Sequence, residues 1–478
     1  MKKLRYILLL ITQLTLYTQN SVSQSITWQR LYDGPFHFYD SGFDACQISN
    51  GDFVIVGSTW QLGPYVLRIN AIGDTVWTRW FNLPGFAKTV VSTDDGGIVF
   101  TGHGDSAYTI KLDSNGNIVW QKFYGGYQVQ IEDMRKTQDG GYVACGGDWT
   151  NTQTSNGYVL KIDSLGNLQW QVSHPGIFKQ YSSIEEAFNG GYVITGSTSG
   201  FPGDILTRIN STGDIIWERQ FLVSDSAANP QVIEKLSQGY LIGGIAAADG
   251  TPDWSPFFVR TDTNVVTYYT KVFPSSLPQG FDMITDFSTD RYVISLYIDS
   301  IYTTQLRYAK ALITDSSGNI LRERVFPSIS SSHFYSIVPI ANGDLLFTGY
   351  WRNHSTPPFD DVYAARTDSL LNVPPNFIGI TSQQNEIPIE FKLYQNYPNP
   401  FNPITTIKYD IPVGTRHGVF VQLKIYDITG REVFGINEYK QAGSYSVTFD
   451  GTNFASGLYL YRIESGNFVE TKKMVLIK

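Results

Sequence analysis

The sequence predicts an all-β protein in which a seven-bladed β-propeller is followed by a small immunoglobulin-like β-sandwich. Three observations support this prediction: the composition, a four-strand unit that recurs seven times, and an unpaired strand at the N-terminus. The 478 residues include 30 Tyr, 29 Phe and 44 Gly, whereas only 16% are charged. Aromatic side chains fit pleated surfaces and glycines supply turns with positive φ, so this composition favours short strands joined by tight turns.

The recurring unit is marked by a polar residue, one or two glycines, and a short apolar strand that usually ends in glycine. DGGYVACG at 139–146 is a clear copy, and a β-hairpin such as YVLKIDSLGNLQW at 158–170 follows it. The seven copies lie at 50–57, 95–102, 139–146, 189–196, 238–244, 290–296 and 342–349. With one strand before each copy, the unit contains four strands, and four-stranded units of this length are typical of β-propellers.

The two ends of the repeat region distinguish a closed propeller from a solenoid. The seventh unit stops at 367–375 without a Trp-containing strand, whereas an orphan strand at 26–34 carries Trp28. Pairing the two would close the ring and remove two exposed sheet edges, while a solenoid would need capping repeats. The sequence therefore predicts seven blades over residues 24–373.

A Gly-x-x-x-Trp phrase recurs in the first four units, with Trp77, Trp120, Trp170 and Trp217. It resembles the tryptophan-docking repeats of quinoprotein propellers, and the resemblance implies that each Trp packs between blades. Nothing resembling a quinone site accompanies it, so no cofactor is predicted. The Asp-Ser-Asn-Gly-Asn segment at 113–117 is similar to a calcium loop, but it lacks the terminal Glu and is interpreted as a hairpin turn.

The N-terminus predicts export. Lys2, Lys3 and Arg5 precede an apolar stretch at 6–16 that is too short for the roughly 20 residues of a membrane span. We interpret 1–23 as a signal peptide and predict no transmembrane segment. Cys46 and Cys145 fall in strands of different repeats, which favours buried free thiols over a disulfide. The formal net charge of −8 excludes the basic surface that a nucleic-acid partner requires.

The C-terminal part of the chain has its own pattern. Residues 374–390 are linker-like, and short alternating strands then fill 391–478. This region contains Tyr397, Pro398, Asn399 and Pro400 in a YPNPFNP segment, Asp427 and Gly430 in a hairpin turn, and Lys472 and Lys473 in the last strand. It resembles the C-terminal sorting domain of the type IX secretion system. The resemblance implies export through the outer membrane by that machinery, a surface sortase as partner, and a secreted or surface location.

The sequence shows no motif that identifies an active site. The six histidines are scattered, there is no Cys-x-x-Cys or Gly-x-Ser-x-Gly, and no phosphate loop is seen. Neighbouring acids such as Glu185 and Glu186 point to opposite faces of a strand, so their adjacency is not a glycosidase pair. No catalytic or metal-binding residue is predicted.

The sequence instead favours binding of an extracellular glycan or protein. One side of the ring has uniformly tight turns, whereas the other side has loops of varied length that contain Trp60, Trp149, Trp254, Trp351 and His354. Binding residues concentrate in such loops, and Trp is enriched at binding hot spots. Two alternatives stay open: these Trp residues only cover the blade ends, or the propeller is a hydrolase or lyase whose acids converge from different blades.

Overall fold

The computed structural model describes residues 25–33, 39–59, 63–151, 154–199, 204–223, 226–247, 254–273, 279–288, 290–299, 306–326, 331–353, 359–374, 391–411, 419–440, 443–466 and 468–478. The chain divides into two units, Met1–Ile378 and Gly379–Lys478. The predicted signal peptide at 1–23 and nearly all of the predicted linker lie outside the described residues. Among those described there is no helix, and hence none that could span a bilayer.

The first unit consists of seven antiparallel sheets arranged as successive blades. Blade 1 contains β2 (Asp40–Gln47), β3 (Phe53–Thr59), β4 (Gly63–Ile69) and β5 (Thr75–Trp80); blade 2 contains β6 (Phe86–Ser92), β7 (Ile98–His103), β8 (Ala107–Leu112) and β9 (Ile118–Tyr124). Blade 3 contains β10 (Val129–Lys136), β11 (Tyr142–Asn151), β12 (Thr154–Ile162) and β13 (Leu168–His174). Blade 4 contains β14 (Gln180–Glu186), β15 (Tyr192–Ser197), β16 (Asp204–Ile209) and β17 (Ile215–Gln220).

The remaining blades follow the same order. Blade 5 contains a short β18 (Leu222–Val223) beside β19 (Ser226–Leu236), β20 (Gly239–Ala247), β21 (Trp254–Thr261) and β22 (Thr267–Val272). Blade 6 contains β23 (Gln279–Ser288), β24 (Arg291–Asp299), β25 (Arg307–Asp315) and β26 (Ile320–Val325). Blade 7 contains β27 (Ser332–Pro339), β28 (Leu345–Asn353) and β29 (Phe359–Thr367), and its fourth strand is β1 (Trp28–Tyr32).

The pairing of β1 with β29 closes the ring as predicted. Trp28 lies opposite Arg366 in this ladder, and Tyr32 lies opposite Val362. The indole of Trp28 is 1% exposed and donates a hydrogen bond of 3.2 Å to the carbonyl oxygen of Ala71 in blade 1. The N-terminal strand therefore completes blade 7 and contacts blade 1.

Tryptophans of the outermost strands pack on turns of the next blade, which matches the predicted packing role. A Cβ atom on Gly166 of blade 3 would lie 2.9 Å from the ring of Trp120 in blade 2. The same close approach joins Trp77 to Gly116 and Trp170 to Gly213. The glycine at this position has positive φ and leaves room for the indole, so each turn serves as the docking surface for its neighbour.

The Asp-Ser-Asn-Gly-Asn segment is a hairpin turn. The carboxylate of Asp113 accepts hydrogen bonds from the side chain of Asn117 and from the backbone N–H groups of Asn115 and Asn117. These bonds hold the pKa of Asp113 below its usual range. The oxygens that a calcium ion would need are thus engaged in shaping the turn. Cys145 is buried and Cys46 is partly buried, and both are free thiols.

The second unit contains two antiparallel sheets that share one core. One sheet is formed by β30 (Lys392–Leu393), β31 (Ile404–Ile411) and β34 (Gly443–Asp450). The other is formed by β32 (Val419–Asp427), β33 (Glu432–Lys440), β35 (Gly457–Ser465) and β36 (Phe468–Leu476). Ile407 and Tyr409 of the first sheet pack with Ile425, Tyr461 and Met474 of the second. The immunoglobulin-like strand order stays a prediction.

Candidate functional site

The first strand of every blade carries a β-bulge. Its register with the second strand shifts by one residue, so that one side chain in each blade has no direct partner. We call these seven residues the bulge ring: Phe43, Lys88, Glu132, Ser182, Gln231, Asp282 and Tyr335. A β-bulge changes the direction in which the side chain of the extra residue points, and bulges are common beside active sites.

The glycine that ends most copies of the repeat phrase makes room for the bulge. A Cβ atom on Gly57 would lie 1.7 Å from the carbonyl oxygen of Ser41, two residues before the bulge residue Phe43. The corresponding distance is 2.0 Å for Gly146 in blade 3. A side chain at either position would overlap the carbonyl group. Glycine occupies the equivalent position in six of the seven blades, and blade 6 has Leu296 there, so the recurring glycine is the usual sequence signature of the bulge.

The bulge ring lines a central cavity of about 920 Å³. First strands of all seven blades contribute to its wall, which makes the cavity the central channel of the propeller. Each bulge lies toward the end of the blade where the second strand leads into the third. We call this side of the propeller the loop face, since it also carries the connections between blades. We call the part of the channel that the bulge ring surrounds the channel mouth.

One half of the channel mouth is polar. The ammonium group of Lys88 lies 2.9 Å from Oε2 of Glu132, and the side-chain amide of Gln180 donates a 3.0 Å hydrogen bond to Oε1 of the same carboxylate. Ser182 and Gln231 continue this half of the ring. Hydrogen bonds therefore fix the Glu132 carboxylate while the group still borders the cavity.

The other half of the channel mouth is aromatic. The rings of Phe43 and Tyr335 lie 5.3 Å apart between centroids. Phe86 supports Phe43 at 5.6 Å, and His333 supports Tyr335 at 4.5 Å. Nε2 of His333 is hydrogen-bonded to Oδ1 of Asp282, whose side chain is 8% exposed. Burial raises the pKa of Asp282, and its second oxygen has no hydrogen-bond partner.

Two carboxylates next to the bulge ring hold neighbouring blades together. Asp44 accepts hydrogen bonds from the Thr89 hydroxyl (3.0 Å), the Val90 N–H (2.9 Å) and the Ser336 hydroxyl (2.8 Å). Asp133 similarly accepts a 2.7 Å bond from the Ser183 hydroxyl. Burial raises the pKa of Asp44 despite these donors. Such saturated carboxylates stabilise the ring and leave little capacity for a ligand.

A charged cluster lies deeper in the channel. The guanidinium of Arg135 contacts Asp133 at 3.3 Å, Glu185 at 3.4 Å and Glu234 at 3.4 Å, and these residues come from blades 3, 4 and 5. Burial raises the pKa of Glu185 to about 8, against the effect of Arg135 and with a contribution from Glu234. The raised pKa means that Glu185 holds its proton more tightly than an exposed glutamate does, as a proton donor near neutral pH must.

The structure describes only some of the residues that the sequence predicts as ligand-binding. Trp149 lies in β11 of blade 3, is half-buried, and has its ring 6.3 Å from Phe178. Trp351 lies in β28 of blade 7, half-buried against the hydrophobic core that blades 6 and 7 share. Trp254 begins β21, but its side chain is not described, and Trp60 and His354 lie outside the described residues. Trp149 and Gln180 of the channel mouth both flank Gly147.

The residues that carry the sorting resemblance form two groups in the second unit: the Tyr397–Pro400 segment with the last strand, and the turn that contains Asp427 and Gly430. Oδ1 of Asn399 accepts a 2.9 Å hydrogen bond from the N–H of Val475, which brings the Tyr397–Pro400 segment against the last strand. The side chain of Gln395 also donates to the carbonyl of Lys473. Lys473 is exposed, whereas Lys472 pairs with Glu470 at 3.0 Å.

Asp427 and Gly430 form the turn between β32 and β33. The carboxylate of Asp427 accepts hydrogen bonds from the Thr429 hydroxyl and from the backbone N–H groups of Thr429 and Arg431. Gly430 has a φ of 83°, a conformation that glycine adopts without strain. These two residues are needed to shape the turn.

Comparison with known proteins identifies the second unit. The sequence model of the secretion system C-terminal sorting domain matches residues 395–478. This confirms the resemblance, and the sorting domain indicates export through the outer membrane to the cell surface or the medium. No curated protein matches the chain significantly.

Three solved structures resemble parts of the chain at low identity. A protein of unknown function from Bacteroides caccae is 13% identical with a TM-score of 0.41, covering 60% of this chain and 98% of its own. A puromycin hydrolase is 12% identical with a TM-score of 0.47, covering 78% of this chain and 58% of its own. The β-1,2-mannobiose phosphorylase of Listeria innocua is 8% identical with a TM-score of 0.29, covering 74% of this chain and 96% of its own. At these values, none of the three informs the ligand or activity of this chain.

Proposed function

We propose that this protein is an exported binding protein that takes an extracellular glycan or protein at the channel mouth of its propeller. The bulge ring is the observation that carries this proposal. Each blade contributes one bulge residue, and its type is different in all seven blades. The glycine that permits the bulge, in contrast, recurs in most of the blades. Since the fold requires the bulge and not a particular side chain, the variety of side chains is available for recognition.

The loops of the same face extend the proposed site. Trp149 and Gln180 of the channel mouth both lie next to Gly147. We propose that Trp60, Trp254, Trp351 and His354 add further contacts to a ligand around the channel mouth. Loops on a rigid scaffold adapt to a ligand without disturbing the blades that support them.

The proposal is tested by binding measurements on the full chain. A glycan array and a screen of extracellular proteins would identify a ligand, whose affinity is then measured for Trp149→Ala/Trp254→Ala/Trp351→Ala and for Glu132→Ala. We expect both variants to stay folded and to bind at least tenfold more weakly. A triple variant that unfolds would instead favour the alternative in which these Trp residues cover the blade ends. Trp80→Ala is the control, because this indole is 49% exposed on the outer strand β5. Full affinity in both site variants would reject the site.

The Arg135 cluster favours a second candidate, a hydrolase or lyase. Carboxylates of three blades meet there, and a carboxylic acid that holds its proton at neutral pH is what general acid catalysis requires. The test is turnover of polysaccharides and peptides by the full chain and by Glu185→Gln. Turnover that is lost in the variant while binding persists would favour the enzyme; absence of turnover in the native chain would favour binding alone.

A further inference from the structure

We infer that the channel mouth binds a neutral saccharide, with one sugar ring lying against Tyr335 and Phe43 and its hydroxyl groups facing Glu132 and Gln231. This inference rests on the proposed function, and it adds the chemical class of the ligand. It follows from how the bulge ring divides into an aromatic half and a polar half.

The aromatic half provides a supported apolar surface. Tyr335 and Phe43 come from blades 7 and 1, which are neighbours because β1 closes the ring. Both side chains are half-buried and both line the cavity. Contacts with Phe86, His333 and Tyr350 behind them hold the two rings in place. A sugar presents an apolar C–H face of matching size, and the electron-rich face of an aromatic ring attracts such C–H groups.

The polar half provides hydrogen-bonding groups of both kinds. The Glu132 carboxylate accepts hydrogen bonds, while the Gln231 amide both donates and accepts. Glu132 is already oriented by Lys88 and Gln180, so little side-chain entropy is lost when a hydroxyl group binds to it. The neighbouring hydroxyl groups of a sugar ring, each of which can donate and accept a hydrogen bond, match this arrangement.

Charge in the cavity disfavours other ligand classes. Among the described residues, five carboxyl groups but only two cationic side chains line it, and both cations already pair with carboxylates, so neither is free to bind phosphate, sulfate or a uronate. A cationic ligand would compete with groups already present, because Lys88 lies 5.8 Å from the centre of the Phe43 ring and pairs with Glu132. The cavity of about 920 Å³ has room for a short oligosaccharide.

The test is calorimetric titration of the full chain with neutral gluco-, manno-, galacto- and xylo-oligosaccharides. An oligogalacturonate and a lysine-rich peptide serve as charged comparisons. We expect at least one neutral oligosaccharide to bind and both charged probes to fail. Tyr335→Leu and Phe43→Leu should each weaken binding at least tenfold, whereas Tyr335→Phe should retain most of it. Tyr268→Leu is the control, because Tyr268 is 65% exposed on the outer strand β22.

The outcomes separate this inference from the proposed function. Failure of every neutral oligosaccharide, or tighter binding of a charged probe, would overturn the saccharide assignment. If a protein ligand then bound and lost affinity in Glu132→Ala, the channel mouth would stand as the site while the ligand class was wrong. If an oligosaccharide bound with equal affinity to native protein, Tyr335→Leu and Phe43→Leu, the inference would be wrong even though the variants fold.

Discussion

Gly146 shows how a single missing side chain creates the site. It faces the strand segment before Glu132, and a Cβ atom there would lie 2.0 Å from the carbonyl oxygen of Gln130. We expect Gly146→Ala to lower the free energy of unfolding of the propeller by about 1 to 3 kcal/mol, because the backbone must shift to relieve the overlap. Denaturant unfolding of the full chain measures the effect.

Gly126→Ala is the control, at a glycine in the connection that leads into the same blade. Its nearest contact would be an ordinary 3.5 Å to a methyl group of Thr150. Equal stability of the two variants would show that the glycine of the repeat phrase is not required by the bulge.

The raised pKa of Glu185 predicts that the stability of the propeller depends on pH. Burial raises its folded pKa to about 8, whereas an unfolded Glu has a pKa near 4.3, so the folded state holds this proton more tightly. Its favourable contribution is present at low pH and is lost as pH rises through about 8. We expect the unfolding free energy to fall between pH 5 and 8, and Glu185→Gln to reduce this fall by up to about 1.4 kcal/mol per pH unit.

Glu323→Gln provides the comparison for that titration. Glu323 is 59% exposed and pairs with Lys310 at 2.9 Å on the surface, where such pairs contribute little. A native-like slope in both variants would mean that Glu185 ionises in the folded protein as it does in water.

At the scale of strands, the fold was predictable wherever geometry demands one residue type. Trp120 and Gly166 recur at fixed places in the repeat because an indole packs on a turn that has no side chain. The bulges were not predicted, since the extra residue leaves no mark in its own strand. Their mark is the glycine of the partner strand, such as Gly57, which also looks like an ordinary strand end.

The channel residues were missed for a related reason. Glu185 contacts Arg135 in the channel, whereas Glu186 accepts a hydrogen bond from the N–H of Gln138 in the turn after β10. Alternation along a strand is visible in sequence, but it does not show which side faces the channel. The contact with Arg135 joins neighbouring blades 3 and 4, so it exists only once these blades have packed together.

Closure itself can be tested through β1. Removing residues 24–34 exposes the edge of β29 and removes the buried indole of Trp28, whose loss alone costs about 3 to 5 kcal/mol. We expect a clearly lower Tm for the propeller, and Trp28→Ala should reproduce most of the change. Trp80→Ala, at an exposed position, should leave Tm nearly unchanged. An unaltered Tm after the deletion would contradict closure by this strand.

For the whole molecule, the sorting domain predicts where the protein accumulates. Residues 395–478 match a domain that directs export, and the propeller precedes it in the chain. We expect a chain without 391–478 to remain in the periplasm as a folded propeller, because the propeller has its own hydrophobic cores. Cell fractionation locates the truncated protein, and resistance to limited proteolysis shows that it is folded.

Lysine variants sharpen this last test because they keep the domain intact. Lys473 is exposed on β36 next to the Tyr397–Pro400 segment, and Lys472 lies beside it. If the export machinery recognises this end of the domain, Lys472→Ala/Lys473→Ala should reduce the exported fraction severalfold. The control is Lys392→Ala/Lys408→Ala, which removes two exposed lysines of the other sheet and should leave export normal. Export of the truncated chain at native levels would instead show that the propeller leaves the cell without its sorting domain.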